Sequence, residues 1–169
     1  MKIVKYKPEY YDQVESIFFD NSTKKEFSSE EERRNFLNKY LVHYLENCSE
    51  SCFVALNEKV IGYILICVDT AKDDDLLRLN PTLKNYQNHF SDYPAHLHIN
   101  THSSQQGKGV GGKLLNDAIA KINVKGIHLI TAQNARNVHF YLKNNFQIVE
   151  NYPDNTVILG RKLSDAQRI

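Results

Sequence analysis

Four glycines fall within six residues, Gly107, Gly109, Gly111 and Gly112, and an apolar helical pattern begins directly behind them. Val110, Leu114, Leu115, Ala118, Ile119 and Ile122 fall on one face at helical spacing. Just before the glycines, Ala95-His96-Leu97-His98-Ile99-Asn100 alternates with period two, as a half-buried strand does. The order is therefore strand, glycine-rich turn, helix. Such a turn aims several backbone N–H groups and the positive end of a helix at one place, which makes an anion site, most often for phosphate.

The rest of the composition narrows the class. A chain of 169 residues, 41% hydrophobic and 24% charged, reads as one globular domain with a sizeable core. A net charge of +1 argues against a dedicated nucleic-acid binder. No run approaches the roughly 18 apolar residues of a membrane span. Met1 to Tyr6 is too polar to open a signal peptide. Cys48, Cys52 and Cys67 are odd in number and lack CxxC spacing, so they read as reduced thiols of a cytoplasmic protein.

Along the chain, Ile3 to Tyr6 predicts a first strand, and Pro8 opens a helix to about Phe19. Ser29 with Glu32 reads as a capping box, and Phe36, Leu37, Tyr40, Leu41, Tyr44 and Leu45 form the apolar stripe of the helix behind it. Ser51 to Leu56 and Val60 to Val68 read as a hairpin around Asn57-Glu58-Lys59. Residues 71–91 are polar and irregular. Asp73-Asp74-Asp75 reads as a solvated turn, without the glycine and distal Glu of a calcium loop, and Leu83 to Phe90 as a short helix. Ile127 to Thr131 is a fifth strand. Ala135 to Asn144 is helical, with Val138, Tyr141 and Leu142 on one side. Phe146 to Glu150 and Val157 to Leu163 close the chain as paired strands. Hairpins around a βαβ centre imply an α/β fold with a mixed sheet.

Two patterns fit the glycine loop poorly. Gly107, Gly109 and Gly112 match the dinucleotide fingerprint, but the following strand ends at Thr131-Ala132-Gln133 without the acid that would hold a ribose. Gly107, Gly112 and Lys113 match a P-loop up to Leu114, which cannot ligate magnesium. The third pattern fits best. Gln106, Gly109 and Gly111 at the mouth of a helix resemble motif A of the GCN5-related N-acetyltransferases (GNAT). Asn134-Ala135-Arg136-Asn137-Val138-His139-Phe140-Tyr141-Leu142-Lys143-Asn144-Asn145-Phe146 resembles that family's second motif, about 30 residues on. Asn145 stands where the family usually has Gly, and Asn tolerates the left-handed conformation. Asn137 stands where Ala is usual. A narrower similarity joins Tyr93 to Ile99 and Gly126 to Leu129 to the acetyltransferase-like domains associated with O-GlcNAc hydrolases.

The resemblance implies one α/β (α+β mixed) domain over residues 1–169. Its central, largely antiparallel sheet would have about six or seven strands, flanked by about four helices. It implies acetyl-CoA as cofactor. Gln106 and the backbone of Gly107, Lys108, Gly109, Val110, Gly111, Gly112 and Lys113 would hold the pyrophosphate. Leu97, His98 and Ile99 would pair with the pantetheine arm and supply an oxyanion donor, and Asn134 would bond the arm from the other side. Tyr141 would protonate the departing thiolate, since a phenol of pKa about 10 is protonated at neutral pH.

Acetylating an amine also needs a base. No Asp or Glu lies between Asp92 and Asp117, or between Asp117 and Glu150. The central strands offer His96, His98 and His102, with His128 on the next strand. His98 is the expected base, placed nearest the acetyl group by the resemblance, with a pKa near 6.5. Histidines that merely line the cleft or sit in packing are the alternative. No carboxylate or Cys completes a metal site with His96 and His98, so none is expected. The expected function is N-acetylation of a primary amine on a small molecule or protein, by a monomer or homodimer without nucleic-acid or membrane partners. The missing carboxylate leaves open an acyl-CoA-binding module without turnover.

Overall fold

The computed structural model describes residues 1–163. Among these residues there are seven strands: β1 (Lys2–Lys5), β2 (Phe53–Asn57), β3 (Lys59–Cys67), β4 (Ala95–Thr101), β5 (Gly126–Ala132), β6 (Gln147–Asn151) and β7 (Thr156–Lys162). The α-helices are α1 (Tyr11–Asn21), α2 (Glu30–Leu37), α3 (His43–Asn47), α4 (Asp74–Leu79), α5 (Val110–Ile119) and α6 (Asn137–Lys143). The strands hydrogen-bond in the order β1-β2-β3-β4-β5-β7-β6. β4 and β5 pair in parallel; β1–β2, β2–β3, β5–β7 and β6–β7 are antiparallel. This is the mixed, largely antiparallel α/β fold expected. The chain divides into two compact units, Met1–Cys67 with His98–Lys121, and Val68–Leu97 with the described residues from Ile122 on. The division falls within β4.

In the first unit, β1, β2 and β3 form a meander. Glu58, at φ 65, makes its tight turn. α1 and α5 pack on β3. Val14, Ile17 and Phe18 are the buried face of α1. In α5, Val110, Leu114, Leu115, Ala118 and Ile119 are all buried, so the stripe read from the sequence is a core face. Ile122, the last residue of the stripe, belongs to the second unit and is buried too. Ser29 caps α2, its Oγ accepting from Glu32 N at 3.1 Å. Glu32 answers to the neighbouring residue rather than to the cap itself: its carboxylate accepts from Ser28 N at 2.7 Å. Such a cap contributes about 1 kcal/mol. The helix behind it is not regular. Asn38–Val42 forms a π-helical turn joining α2 to α3, a widening that often marks a functional position.

In the second unit, β5 pairs with β7 along its whole length, and β6 returns beside β7 with a bulge at Ile148 and Glu150. Two glycines admit Tyr93. A Cβ on Gly126 would stand 2.3 Å from the Asp92 carbonyl oxygen, and one on Gly160 would stand 2.6 Å from the Tyr93 ring. Asn145 ends the segment after α6 in the left-handed region, at φ 65, as its substitution for Gly requires.

Two readings are corrected here, and the short helix expected over Leu83 to Phe90 is present. Asp73 to Asp75 is no solvated turn. Asp73 is the N-cap of α4 and accepts from Leu76 N at 2.8 Å, with Asp74 and Asp75 in the first turn, where acids favour the helix dipole. Residues Pro81–His89 form a 3-10 helix. Leu142 is 43% exposed, so the buried face of α6 is reduced chiefly to Tyr141.

Candidate functional site

The glycine loop belongs to the first unit. Gly107 and Gly109 have φ of 75° and 79°, in the region that L side chains avoid. Gly109 is the N-cap of α5 and supplies no side-chain cap. The first bond of the helix runs from Lys113 N to Gly109 O, at 3.1 Å. Val110, Gly111 and Gly112 therefore present N–H groups without an intrahelical acceptor. A Cβ on Gly107 or Gly109 would meet no protein atom within 4 Å. The space beside these two residues is open to a ligand. Lys108 is exposed, and Lys113 pairs with Asp117 at 2.9 Å.

The loop is held from a direction the sequence did not indicate. Asn21, the last residue of α1, donates from Nδ2 to the Thr101 carbonyl at 3.0 Å and accepts at Oδ1 from Gln106 Nε2 at 3.1 Å. Asp20 accepts from Ser103 N at 2.9 Å, and this bond holds its carboxyl below the usual carboxylate range. Gln106, expected to bind phosphate, thus gives one of its amide protons to Asn21. No local pattern marks Asp20 or Asn21; their partners lie about eighty residues away.

β4 carries the remaining residues of the first unit's site. His98 is half-buried, with its Nε2 sealed from solvent. Its ring meets Tyr40 edge-on at 6.0 Å and Tyr44 at 5.2 Å. Burial lowers its pKa to about 4. The expectation of a base titrating near 6.5 is therefore corrected: this imidazole is neutral at physiological pH and weakly basic. Ile99 is half-buried beside it. His102 is exposed and caps the Ser103–Gln105 turn, its Nδ1 accepting from Ser104 N at 3.2 Å.

In the second unit, β4 and β5 pair through Ala95 with Ile127 and His96 with His128. Leu97 is 1% exposed, so its backbone is what it has to offer. His96 and His128 sit in the core at 3% and 0% exposure. His128 donates from Nδ1 to the Tyr93 carbonyl at 2.6 Å, stacks on Phe90, and is lowered to about 4 by burial. Packing, not proton transfer, accounts for these two histidines. Tyr141 is 4% exposed, against Phe140 and Phe146, and burial raises its pKa further above the ordinary phenol value. Asn134 lies in the exposed turn after β5, its Oδ1 accepting from Asn155 Nδ2 at 3.3 Å.

Residues 48–148 match the acetyltransferase (GNAT) domain. That is more than half of the chain. The chain belongs to the GNAT acetyltransferase family. Solved structures agree in fold. The crystal structure of SsHAT aligns over 97% of this chain and 98% of its own, at 22% identity and a TM-score of 0.80. The protein yncA from Salmonella typhimurium, solved with its cofactor acetyl-CoA, aligns over 98% of this chain and 95% of its own, at 16% identity and a TM-score of 0.68. The ribosomal-protein-alanine N-acetyltransferase from Brucella melitensis aligns over 96% and 100%, at 16% identity and a TM-score of 0.62. The family match includes the glycine loop and the whole of the segment Asn134–Phe146, so both stretches that resemble GNAT motifs lie inside it.

Proposed function

We propose that this GNAT protein is an acetyl-CoA-dependent N-acetyltransferase acting, as one domain, on a primary amine of a small molecule or protein. The observation that carries the reading is the bare N-terminus of α5. Three adjacent N–H groups, behind two glycines with open space where side chains would be, suit a pyrophosphate. Acetyl-CoA, when bound, supplies an activated acetyl group on a thiol leaving group.

The chain's own residues divide the remaining work. Val110, Gly111 and Gly112 bind phosphate oxygens through N–H groups, and Lys108 adds charge at the loop. Asn21 and Asp20 hold the loop in the shape that makes this possible. The backbone of Leu97 to Ile99 and the amide of Asn134 orient the pantetheine arm. Tyr141 keeps a proton at Oη for the thiolate; burial raises its pKa, so the phenol is protonated at neutral pH. His98 receives the amine's proton. Its depressed pKa keeps the ring neutral at physiological pH, at the expense of driving force. The reading extends to a cytoplasmic monomer or homodimer without nucleic-acid or membrane partners; no helix among the described residues is long and apolar enough to cross a membrane.

A second reading rests on one observation. His98 is a weak base with a sealed nitrogen, and the central strands carry no carboxylate. This favours an acyl-CoA-binding module without turnover. Thiol release from acetyl-CoA, with and without a panel of primary amines, separates the two. Amine-dependent release supports the enzyme. Binding of acetyl-CoA with no release for any amine supports the module.

A further inference from the structure

One polar pair in the first unit is used by neither the cofactor loop nor the core. β3 is an apolar strand, and Tyr63 within it is 1% exposed. A phenylalanine would fill nearly the same volume there without a hydroxyl to satisfy. The hydroxyl is answered from β4: Asn100 donates from Nδ2 to Tyr63 Oη at 2.7 Å. The two strands are in step at this point. His102 N donates to Ile61 O at 3.0 Å, and a Cβ on Gly62 would stand 3.1 Å from Thr101 Cγ2. Tyr63 therefore sits across from Asn100, on the face opposite Gly62 and Thr101.

The bond fixes the amide. With Nδ2 on Tyr63, the other end of the Asn100 side chain is Oδ1, which can only accept. Asn100 is half-buried, and among the described residues its Oδ1 has no partner. Nor is it sealed: the sealed, unpartnered side-chain atoms among the described residues are His98 Nε2 and His128 Nε2. Positions i and i+2 of a strand share a face about 7 Å apart, so Oδ1 opens on the face of β4 that carries His98. No Asp or Glu lies on β4, and the Asp20 carboxylate just beyond its end is committed to Ser103 N. Asn100 Oδ1 is thus an open acceptor where His98 Nε2 is a closed one.

An amide oxygen suits a nucleophilic nitrogen. It takes one N–H and leaves the lone pair free. Being neutral, it does not hold the nitrogen as ammonium, whereas a carboxylate would favour the charged form and oppose loss of the proton. That matters beside an imidazole as weakly basic as His98.

We propose that Asn100 binds the acceptor amine, its Oδ1 accepting one N–H of the nitrogen to be acetylated, and that Tyr63 is the positioning residue that orients the amide. The inference rests on the N-acetyltransferase reading above and deepens it at the acceptor.

Propylamine, which offers a site little besides its nitrogen, is the probe. It is titrated into protein loaded with CoA, which cannot react, and binding is read by ligand-observed NMR. Asn100→Leu, of similar size, should weaken propylamine binding at least about tenfold. Asn100→Asp should strengthen it at least about threefold, because a carboxylate receives the ammonium that prevails at neutral pH. Both variants should keep the parental Kd for acetyl-CoA, with melting curves showing that they fold. A purely structural amide would not move amine affinity in opposite directions. Tyr63→Phe should lose part of the affinity in the parent and nothing further in Asn100→Leu, since it acts only through the amide. No propylamine binding by the parent, an affinity in Asn100→Leu within about threefold of the parent, equal weakening in both Asn100 variants, or a matching loss of acetyl-CoA affinity would overturn the proposal. Thiol release with acetyl-CoA then separates it from the reading beneath it. The expected binding pattern without release for any amine overturns turnover and leaves the amine site standing. Release with propylamine at a kcat/KM that Asn100→Leu changes by less than about threefold overturns the amine site and leaves turnover standing.

Discussion

Asn21 Oδ1 accepts a hydrogen bond from Gln106 Nε2 at 3.1 Å, across 85 positions of sequence. The same side chain holds the Thr101 carbonyl and closes back on Ile17 O at 2.9 Å. One amide thus fastens both ends of the segment leading into the glycine turn to the last turn of α1. Asn21→Ala removes all three bonds and should weaken acetyl-CoA binding by about tenfold, about 1.4 kcal/mol. Asn21→Asp keeps the acceptor for Gln106 but turns a carboxylate oxygen towards the Ile17 and Thr101 carbonyls, so its loss should be at least as large. Calorimetry decides it; an unchanged Kd in Asn21→Ala would mean that the loop holds its shape without α1.

Gly109 separates two reasons for needing glycine. Its φ of 79° disfavours any side chain, yet no protein atom lies within 4 Å of where a Cβ would be. Asn adopts the left-handed region readily, whereas Val does not. Gly109→Asn should therefore fold with nearly the parental melting temperature and still lose at least about tenfold in acetyl-CoA affinity, because the added atoms fill space meant for a ligand. Parental affinity in this variant would show that the bare backbone serves conformation alone.

Tyr141 and His98 predict an unusual pH profile. Burial raises the pKa of the phenol, so no alkaline limb from it should appear below about pH 10. Burial lowers the imidazole to about 4, so the acidic limb of kcat/KM should lie near 4 and the profile should be flat from pH 5 to 8 as far as this group goes. Tyr141→Phe should lower kcat by roughly 10²- to 10⁴-fold with little change in acetyl-CoA affinity. A limb near 6.5 that vanishes in His98→Ala would contradict the buried state of the ring. A fall in kcat of less than about threefold in Tyr141→Phe, with chemistry rate-limiting, would make the phenol structural.

His98 and His128 also set the acid stability. Both are held near pKa 4 in the fold, against about 6.5 when unfolded. Between these values the unfolded chain binds more protons, so stability falls as pH drops from about 6.5 towards about 4, with no further loss from these rings below that. Each should cost on the order of 2 kcal/mol by pH 5. His128→Phe loses the bond to the Tyr93 carbonyl and should be less stable at pH 8, but its decline between pH 8 and 5 should be shallower by about 2 kcal/mol. Urea midpoints at the two pH values measure this; parallel declines would place the acid sensitivity elsewhere.

Local features were legible in the sequence, and long-range ones were not. The α5 stripe, the two hairpins and the left-handed Asn145 follow from spacing and backbone preference, and the structure has them. The two GNAT motifs named the fold because both are contiguous stretches of chain. Asp73 was misread because an acid at a turn and an acid at an N-cap look alike without the Leu76 N–H beside it. Leu142 was misread because α6 is too short for periodicity to choose a face. The hold of Asp20 and Asn21 on the loop, and the burial of His98 under Tyr40 and Tyr44, depend on contacts between distant residues. The burial of His98 brings its expected titration down to about 4.

The π-helical turn at Asn38–Val42 has a consequence for how this chain is compared with others. A wide turn accommodates about one residue more than the α-helical path it replaces. The widening thus absorbs a residue that, in a regular helix, would turn everything downstream by about 100°. Deleting a single residue there would restore regular geometry and leave Tyr44 against the imidazole. Aligned sequences with a one-residue gap at this point would therefore be expected to keep both the helix and this wall of the histidine pocket. A length difference at this single turn would then be no sign that the surroundings of the strand histidine differ.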